Sequence, residues 1–269
     1  GLIDPEIEAV AEAIGARIVE TESNVFGVSD VYLAGLRTDV RQQETNLGNL
    51  TADANLAEAR KTDPTVLVSI KNGGGIRDDI GQVVVPAGGS EAVRLPTEEI
   101  RDAAGNIVKP AGGISETDIA NTLRFNNDLT LLTLTHAELR AVLEHGIAAS
   151  TYDGTGGTNT EGRFPHVAGL RFSFDPDLPA GDKIANAVIL NEDGSVAAEL
   201  VRNGETVAAD STVRIVTLGF LAGGGDGYPF PTGAGANRVE LEVENQRTGA
   251  AAFADDGTEQ DVLAEYLAA

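Results

Sequence analysis

Between Val213 and Phe230 a β-rich run, Val213-Arg-Ile-Val-Thr-Leu218, passes directly into Gly219-Phe-Leu-Ala-Gly-Gly-Gly-Asp-Gly-Tyr228. A strand that ends in a glycine run lets the backbone approach a ligand closely, because no Cβ stands in the way. Phe220 offers a flat apolar face there, and Asp226 offers two acceptors suited to sugar hydroxyls. The plain alternative is a glycine-rich turn between two elements, and short glycine motifs are common enough that this stretch does not decide between them. A second segment repeats the pattern. Pro64-Thr-Val-Leu-Val-Ser-Ile-Lys71 reads as a buried strand and runs into Asn72-Gly-Gly-Gly-Ile-Arg77. Glycine loops at the carboxyl ends of strands are where open α/β sheets bind ligands. The Asn72–Arg77 loop lacks the Gly-Lys-Ser/Thr ending of a nucleoside-triphosphate phosphate loop, and it is not the dinucleotide fingerprint.

The remaining elements frame these loops. Residues 5–19 read as an amphipathic helix, capped by Asp4, with Ile7, Val10, Ala11 and Ile14 on one face. Arg37 and Arg41 stand four apart, a spacing that fits a helix or an extended segment. Thr45 or Asn46 caps a helix from Leu47 to Arg60, with Asp53 near its apolar side and therefore expected to find backbone partners. Residues 81–113 hold Pro-Ala-Gly-Gly twice around a charged middle and are expected to form one hairpin inserted into the domain. A helical turn begins at Ser115 or Thr117. Leu123-Arg-Phe-Asn-Asn127 then leads into a strand at 129–134, and Thr135 with Glu138 supplies a capping box for a helix to Ile147. A Thr- and Gly-rich loop runs to Gly162. Phe164–Phe174 alternates as a single strand, further strands fall near 184–190 and 213–218, and a helix over 259–267 follows. The class is α/β (α+β), with mixed sheets covered by helices.

Charge narrows the partners. A formal net charge of −23 argues against nucleic acid and anionic membrane, since both need a positive surface. No apolar run reaches the roughly 18 residues of a membrane span. An acidic protein that binds an anion has to gather its few cations in one place. The three histidines show no metal-ligand spacing, and there is no cysteine and no Gly-x-Ser-x-Gly. No catalytic set is visible.

Thr45-Asn-Leu-Gly-Asn-Leu50, Asn72-Gly-Gly-Gly-Ile-Arg77, Phe125-Asn-Asn127 and Gly224-Gly-Asp-Gly-Tyr228 occur in that order. Together they resemble the C-terminal, substrate-binding domain of the 5′-nucleotidase family, which includes UDP-sugar hydrolases and 2′,3′-cyclic-nucleotide phosphodiesterases. The resemblance covers roughly residues 20–235. It implies a layered α-β-β-α arrangement. It also implies roles by position: Phe125 and Phe220 sandwich the base, with Asn72, Asn127 and Gly162 beside it. Asp226 takes the ribose, and Arg37, Arg41 and Arg77 stand at the phosphate end. Where the family usually has Pro-Phe-Gly-Asn, this chain has Arg124-Phe-Asn-Asn127, with Asn126 in place of a glycine.

The family's metallophosphatase stretches, Asp-x-His and Gly-Asn-His-Glu, do not occur in this sequence. The resemblance therefore implies that residues 1–20 are a linker helix from an N-terminal metallophosphatase domain and that 21–269 form the substrate-binding domain. The expected cofactors are none in this chain and two divalent metals in that N-terminal domain. The expected partners are nucleotides or nucleosides and that domain, with no nucleic acid and no membrane. The parent protein would be a periplasmic or secreted, cell-surface hydrolase of nucleotide catabolism, and this chain alone would be inactive. Two other readings stand beside this one: a stand-alone nucleoside- or nucleotide-binding module, and a relative with a non-nucleotide substrate, as in thiosulfate-oxidising hydrolases.

Overall fold

The computed structural model describes residues 4–269. Helix α1 (Pro5–Ser23) leads into β1 (Val25–Val28). The short α2 (Arg37–Val40) and the long α3 (Asn46–Thr62) precede β2 (Val66–Asn72). Two hairpins follow, β3 (Gln82–Val84) with β4 (Val93–Leu95) and β5 (Ile100–Arg101) with β6 (Ile107–Lys109). Strand β7 (Gly113–Ser115) pairs back on β1 and opens α4 (Glu116–Thr122). Then come β8 (Leu129–Thr135), α5 (His136–Ile147), β9 (Pro165–Ala168), β10 (Leu170–Phe174), β11 (Ile184–Leu190), β12 (Val196–Arg202), β13 (Glu205–Thr206) and β14 (Thr212–Leu218). The short α6 (Gly219–Ala222), β15 (Val239–Glu240) and α7 (Glu259–Ala268) complete the order.

Two sheets organise the chain. The larger runs β15-β8-β14-β2-β9, and the smaller, β10-β11-β12-β13, is antiparallel throughout. In the larger sheet β14 and β2 are parallel neighbours, while β8 and β9 are antiparallel to them. Strands β2, β8 and β14 are buried at almost every position, odd and even, so both faces of this sheet are covered. Helix α3 packs on β2, β9 and β14, and α7 packs on α3. Helix α5 reaches β8 and β9 of the larger sheet and β12 and β13 of the smaller one. The mixed α/β class read from the sequence therefore holds. The capping box read at Thr135 with Glu138 forms at α5, and the structure adds a second, Ser115 with Asp118, at α4.

Strand direction decides where the loops meet. Parallel β2 and β14 end at the same edge of the sheet, and antiparallel β8 and β9 begin there, with Leu218 opposite Leu129 and Asn72 opposite Pro165. The Asn72–Gly75 loop, the Gly219–Tyr228 stretch, the Phe125–Asp128 segment and Gly162 are thereby brought to one edge.

Four sequence expectations change. The alternating run Phe164–Phe174 is two strands in different sheets. It breaks at Gly169, whose φ of +66° is left-handed and where an added Cβ would lie 1.8 Å from the Leu67 carbonyl oxygen. The 81–113 insertion is two hairpins, because Pro96 and Thr97 end one pair before Ile100 starts the next. Asp53 is exposed, and the buried polar positions of α3 are Thr51 and Asn55. Helix α1, read over residues 5–19, runs on to Ser23. Its last turn is docked by Glu22, which pairs with Lys109 at 2.6 Å and accepts from Ser115 Oγ at 2.9 Å. Its apolar face, Ile7, Val10, Ile14 and Ile18, is exposed.

Two buried groups give stability opposing pH dependences. His166 on β9 donates Nε2–H to the Val40 carbonyl at 2.8 Å, while its Nδ1 is buried without a partner. Burial lowers its pKa from 6.5 to about 4. The unfolded chain takes up this proton first, so stability present above pH 6.5 is lost as pH falls toward about 4. Asp261, raised by burial to about 6, acts oppositely, since the folded state takes up its proton first and gains as pH falls toward the ordinary value of 3.8. His166→Gln, which keeps a donor for Val40, should remove the His166 loss and leave the Asp261 gain. The Tm of the variant relative to that of the unaltered chain should therefore rise as pH falls from 6.5 toward 4. Thermal melts across that range check it.

Candidate functional site

The edge where the loops meet encloses a cavity of about 250 Å³ lined by Arg41, Asn72, Gly74, Gly75, Arg77, Phe125, Asn127, Gly162, Phe220 and Asp226. Of the nine residues singled out in the sequence, eight line it. The ninth, Arg37, is exposed at the start of α2 and acts electrostatically on Arg41. A larger cavity of about 860 Å³ lies beside the 150–157 loop and β9–β10, and it contains none of the nine.

The two phenylalanines are exposed, Phe125 by 63% and Phe220 by 49%. Each has one side supported. The Arg77 guanidinium lies 5.4 Å from the Phe125 ring centroid. Phe220 rests on Gly225, where a Cβ would come within 2.6 Å of three ring carbons. Gly225 is therefore a seat for the ring that any side chain would fill.

Asp226 takes a left-handed backbone, φ 53° and ψ 16°, which non-glycine residues rarely adopt and which marks a constrained site. Glycines with positive φ stand close on either side, at 224 and 227. The Asp226 carbonyl accepts from His145 Nε2 at 2.9 Å, and its Oδ2 accepts from Asn72 Nδ2 at 2.6 Å. The amide of Asn72 is thus committed to Asp226, and its Oδ1 is buried without a partner. The amide of Asn127 is also engaged, donating Nδ2–H to Glu259 Oε2 at 2.7 Å. The three-glycine turn is held by Gly73 N to the Phe164 carbonyl at 2.7 Å and Gly74 N to the Gly162 carbonyl at 2.6 Å. A Cβ on Gly73 would lie 1.9 Å from the Val40 carbonyl oxygen, which explains glycine there.

Arg37 and Arg77 stand close enough to Arg41 to disfavour its charge. Burial, then Arg37 and Arg77, lower the pKa of Arg41, while Asp226 and Glu161 act in the other direction. Arg41 Nε is buried without a hydrogen-bond partner. Arg77 Nη1 donates to the Gly74 carbonyl at 3.3 Å. Two guanidinium groups, Arg41 and Arg77, thus line one cavity in a chain of net charge −23. Asp226 and the two rings line the same cavity as Arg41 and Arg77. The described residues hold no group of three or more His, Asp or Glu side chains spaced for a metal ion.

Sequence reading missed Glu259, which underlies the cavity from α7, and Gly225 as the seat of Phe220. A signal existed for the first. Lys71 ends an otherwise apolar strand, and a charge there needs a buried partner.

Residues 25–233 match the family model described as "5'-nucleotidase, C-terminal domain". Among curated proteins, the chain is 28% identical over 231 residues to the trifunctional nucleotide phosphoesterase protein YfkN of Bacillus subtilis, covering 86% of this chain and 13% of that protein. It is 26% identical over 230 residues to the 5'-nucleotidase of Homo sapiens, covering 84% and 33% respectively. Among solved structures, the 5'-nucleotidase precursor from Thermus thermophilus superposes with a TM-score of 0.67 at 27% identity, covering 97% of this chain and 39% of that one. The chain thus spans well under half the length of each of these relatives.

Proposed function

The chain belongs to the 5'-nucleotidase C-terminal domain family, and on that premise we propose that it is the nucleotide-recognition half of a phosphoester hydrolase. The base lies between Phe125 and Phe220, the ribose hydroxyls meet Asp226, and the phosphate meets Arg41 and Arg77 with Arg37 behind them. Asn72, Asn127 and Gly162 shape the floor around the base, and the two amides act largely through the neighbours they already bind. The observation that carries this reading is that two exposed aromatic rings, a carboxylate on a left-handed backbone and two arginines line one cavity.

At about 250 Å³ the cavity is smaller than the roughly 300–1,000 Å³ of a complete small-molecule site. That fits a ligand that extends beyond it toward a second domain. In this proposal an N-terminal metallophosphatase domain supplies two divalent metals and the hydrolytic water, and this chain supplies orientation. We place the parent protein in the periplasm or outside the cell. Among the described residues no helix is long and apolar enough to cross a membrane.

Arg77→Ala should weaken adenosine monophosphate by roughly 1.5–3 kcal/mol, the worth of a charge-assisted contact, and adenosine far less. Calorimetric titration of both ligands checks this. Equal losses would mean that Arg77 acts only by bracing Gly74 and Phe125, the contacts it already makes.

A further inference from the structure

Lys71 and Glu259 form an ion pair that is fully buried on both sides, with Nζ and Oε1 2.6 Å apart. Such a pair is a weak source of stability, because stripping both charges of water offsets most of their attraction. Its position gives it another use. Lys71 immediately precedes Asn72, whose amide holds Asp226. Glu259 is the first residue of α7 and lies beyond residues 25–233, the part matched by the family model.

The second carboxylate oxygen of Glu259 accepts from Asn127 Nδ2 at 2.7 Å and from Asn127 N at 3.3 Å. The Asn127 carbonyl accepts in return from Glu259 N at 2.9 Å. One residue on, Gln260 N donates to Asn126 Oδ1 at 3.0 Å, and Gln260 Nε2 donates to the Leu123 carbonyl at 2.9 Å. The segment 123–127, which carries Phe125, is therefore hung on the first turn of α7. Asn126 sits at φ +44°, a conformation that favours glycine, and its side chain occupies the helix amide of Gln260. A glycine at 126 would take the same backbone conformation without that attachment.

We propose that Glu259, pinned by Lys71, is a positioning residue that sets Phe125 and Asn127 relative to the Asn72–Asp226 side of the cavity. The start of α7 then belongs to the binding site although it touches no ligand. This rests on the reading of the cavity as a nucleotide site.

The test uses the full chain with Glu259→Gln. A glutamine oxygen still accepts from Lys71, but its amide then meets the Asn127 donors, so the segment loses its anchor. Adenosine affinity in the folded fraction should fall about tenfold or more. Combining it with Asn127→Ala should cost no more than Asn127→Ala alone, since both remove one linkage. Hydrogen exchange at the Asn127 amide, read without ligand, should quicken while α3 stays protected. Unchanged affinity, additive losses or unchanged exchange would overturn the proposal. Should Glu259→Gln fail to fold, the paired apolar replacement Lys71→Met with Glu259→Leu keeps a packed interior and carries the same expectations. If the unaltered chain binds no nucleoside, the reading of the cavity fails, and the exchange measurement still decides the positioning role alone.

Discussion

Gly169→Ala is expected to destabilise the chain by about 2–6 kcal/mol, combining backbone strain with overpacking. Gly169 lies where the chain leaves the larger sheet after β9 and joins the smaller one at β10. Its φ is +66°, and a Cβ there would meet the Leu67 carbonyl oxygen at 1.8 Å and carbon at 3.0 Å, with Leu56 Cδ2 at 3.1 Å. Relief would have to move β2, whose far end carries Asn72. Gly194 provides the control. Its φ is +80°, and a Cβ placed there would find nothing within 4 Å, so Gly194→Ala meets strain alone. That should cost about 1–2 kcal/mol. Denaturant melts of the two variants separate the terms. Equal losses would mean that the sheet crossover tolerates the added atom.

Phe125→Ala and Phe220→Ala should each weaken adenosine by roughly 1–3 kcal/mol, the scale of base stacking on an aromatic face. Both should leave stability nearly unchanged. A core phenylalanine behaves in the opposite way, losing roughly 3–5 kcal/mol of stability on truncation. The exposures of 63% and 49% favour the first behaviour. Arg77 lies against the Phe125 ring and the Gly225 backbone against the Phe220 ring, and both rings line the cavity. Purines should lose more than pyrimidines, because the larger ring system covers more of each face. Melting temperature and nucleoside affinity, measured on both single variants and the double, decide it. A variant that melts much lower while the folded fraction binds normally would assign that phenylalanine to packing.

What could be read in the sequence was local. Strands that end in glycine runs announce themselves through apolar continuity and the loss of side chains, so the loops after β2 and β14 were visible. The convergence of four stretches on one edge follows from strand direction. Direction was not readable, because nothing in Val66–Asn72 or Leu129–Thr135 says which strand is the neighbour. The crossover at Gly169 was hidden because Leu170-Arg-Phe-Ser-Phe174 continues the alternation of the strand before it. Strands β12 and β13 were missed because Val196-Ala-Ala-Glu-Leu-Val-Arg202 has little β-branched or aromatic content. The partner of Lys71 stands 188 residues away, a pairing that only the fold makes.

The central claim is that the cavity lined by Phe125 and Phe220 holds a nucleotide. A crystal structure of the chain soaked with adenosine monophosphate tests it most directly. The expected result is adenine between the two rings, the ribose hydroxyls on Asp226 and the phosphate toward Arg41 and Arg77. Density for the nucleotide in the larger cavity beside the 150–157 loop, or at neither place under saturating ligand, would contradict it.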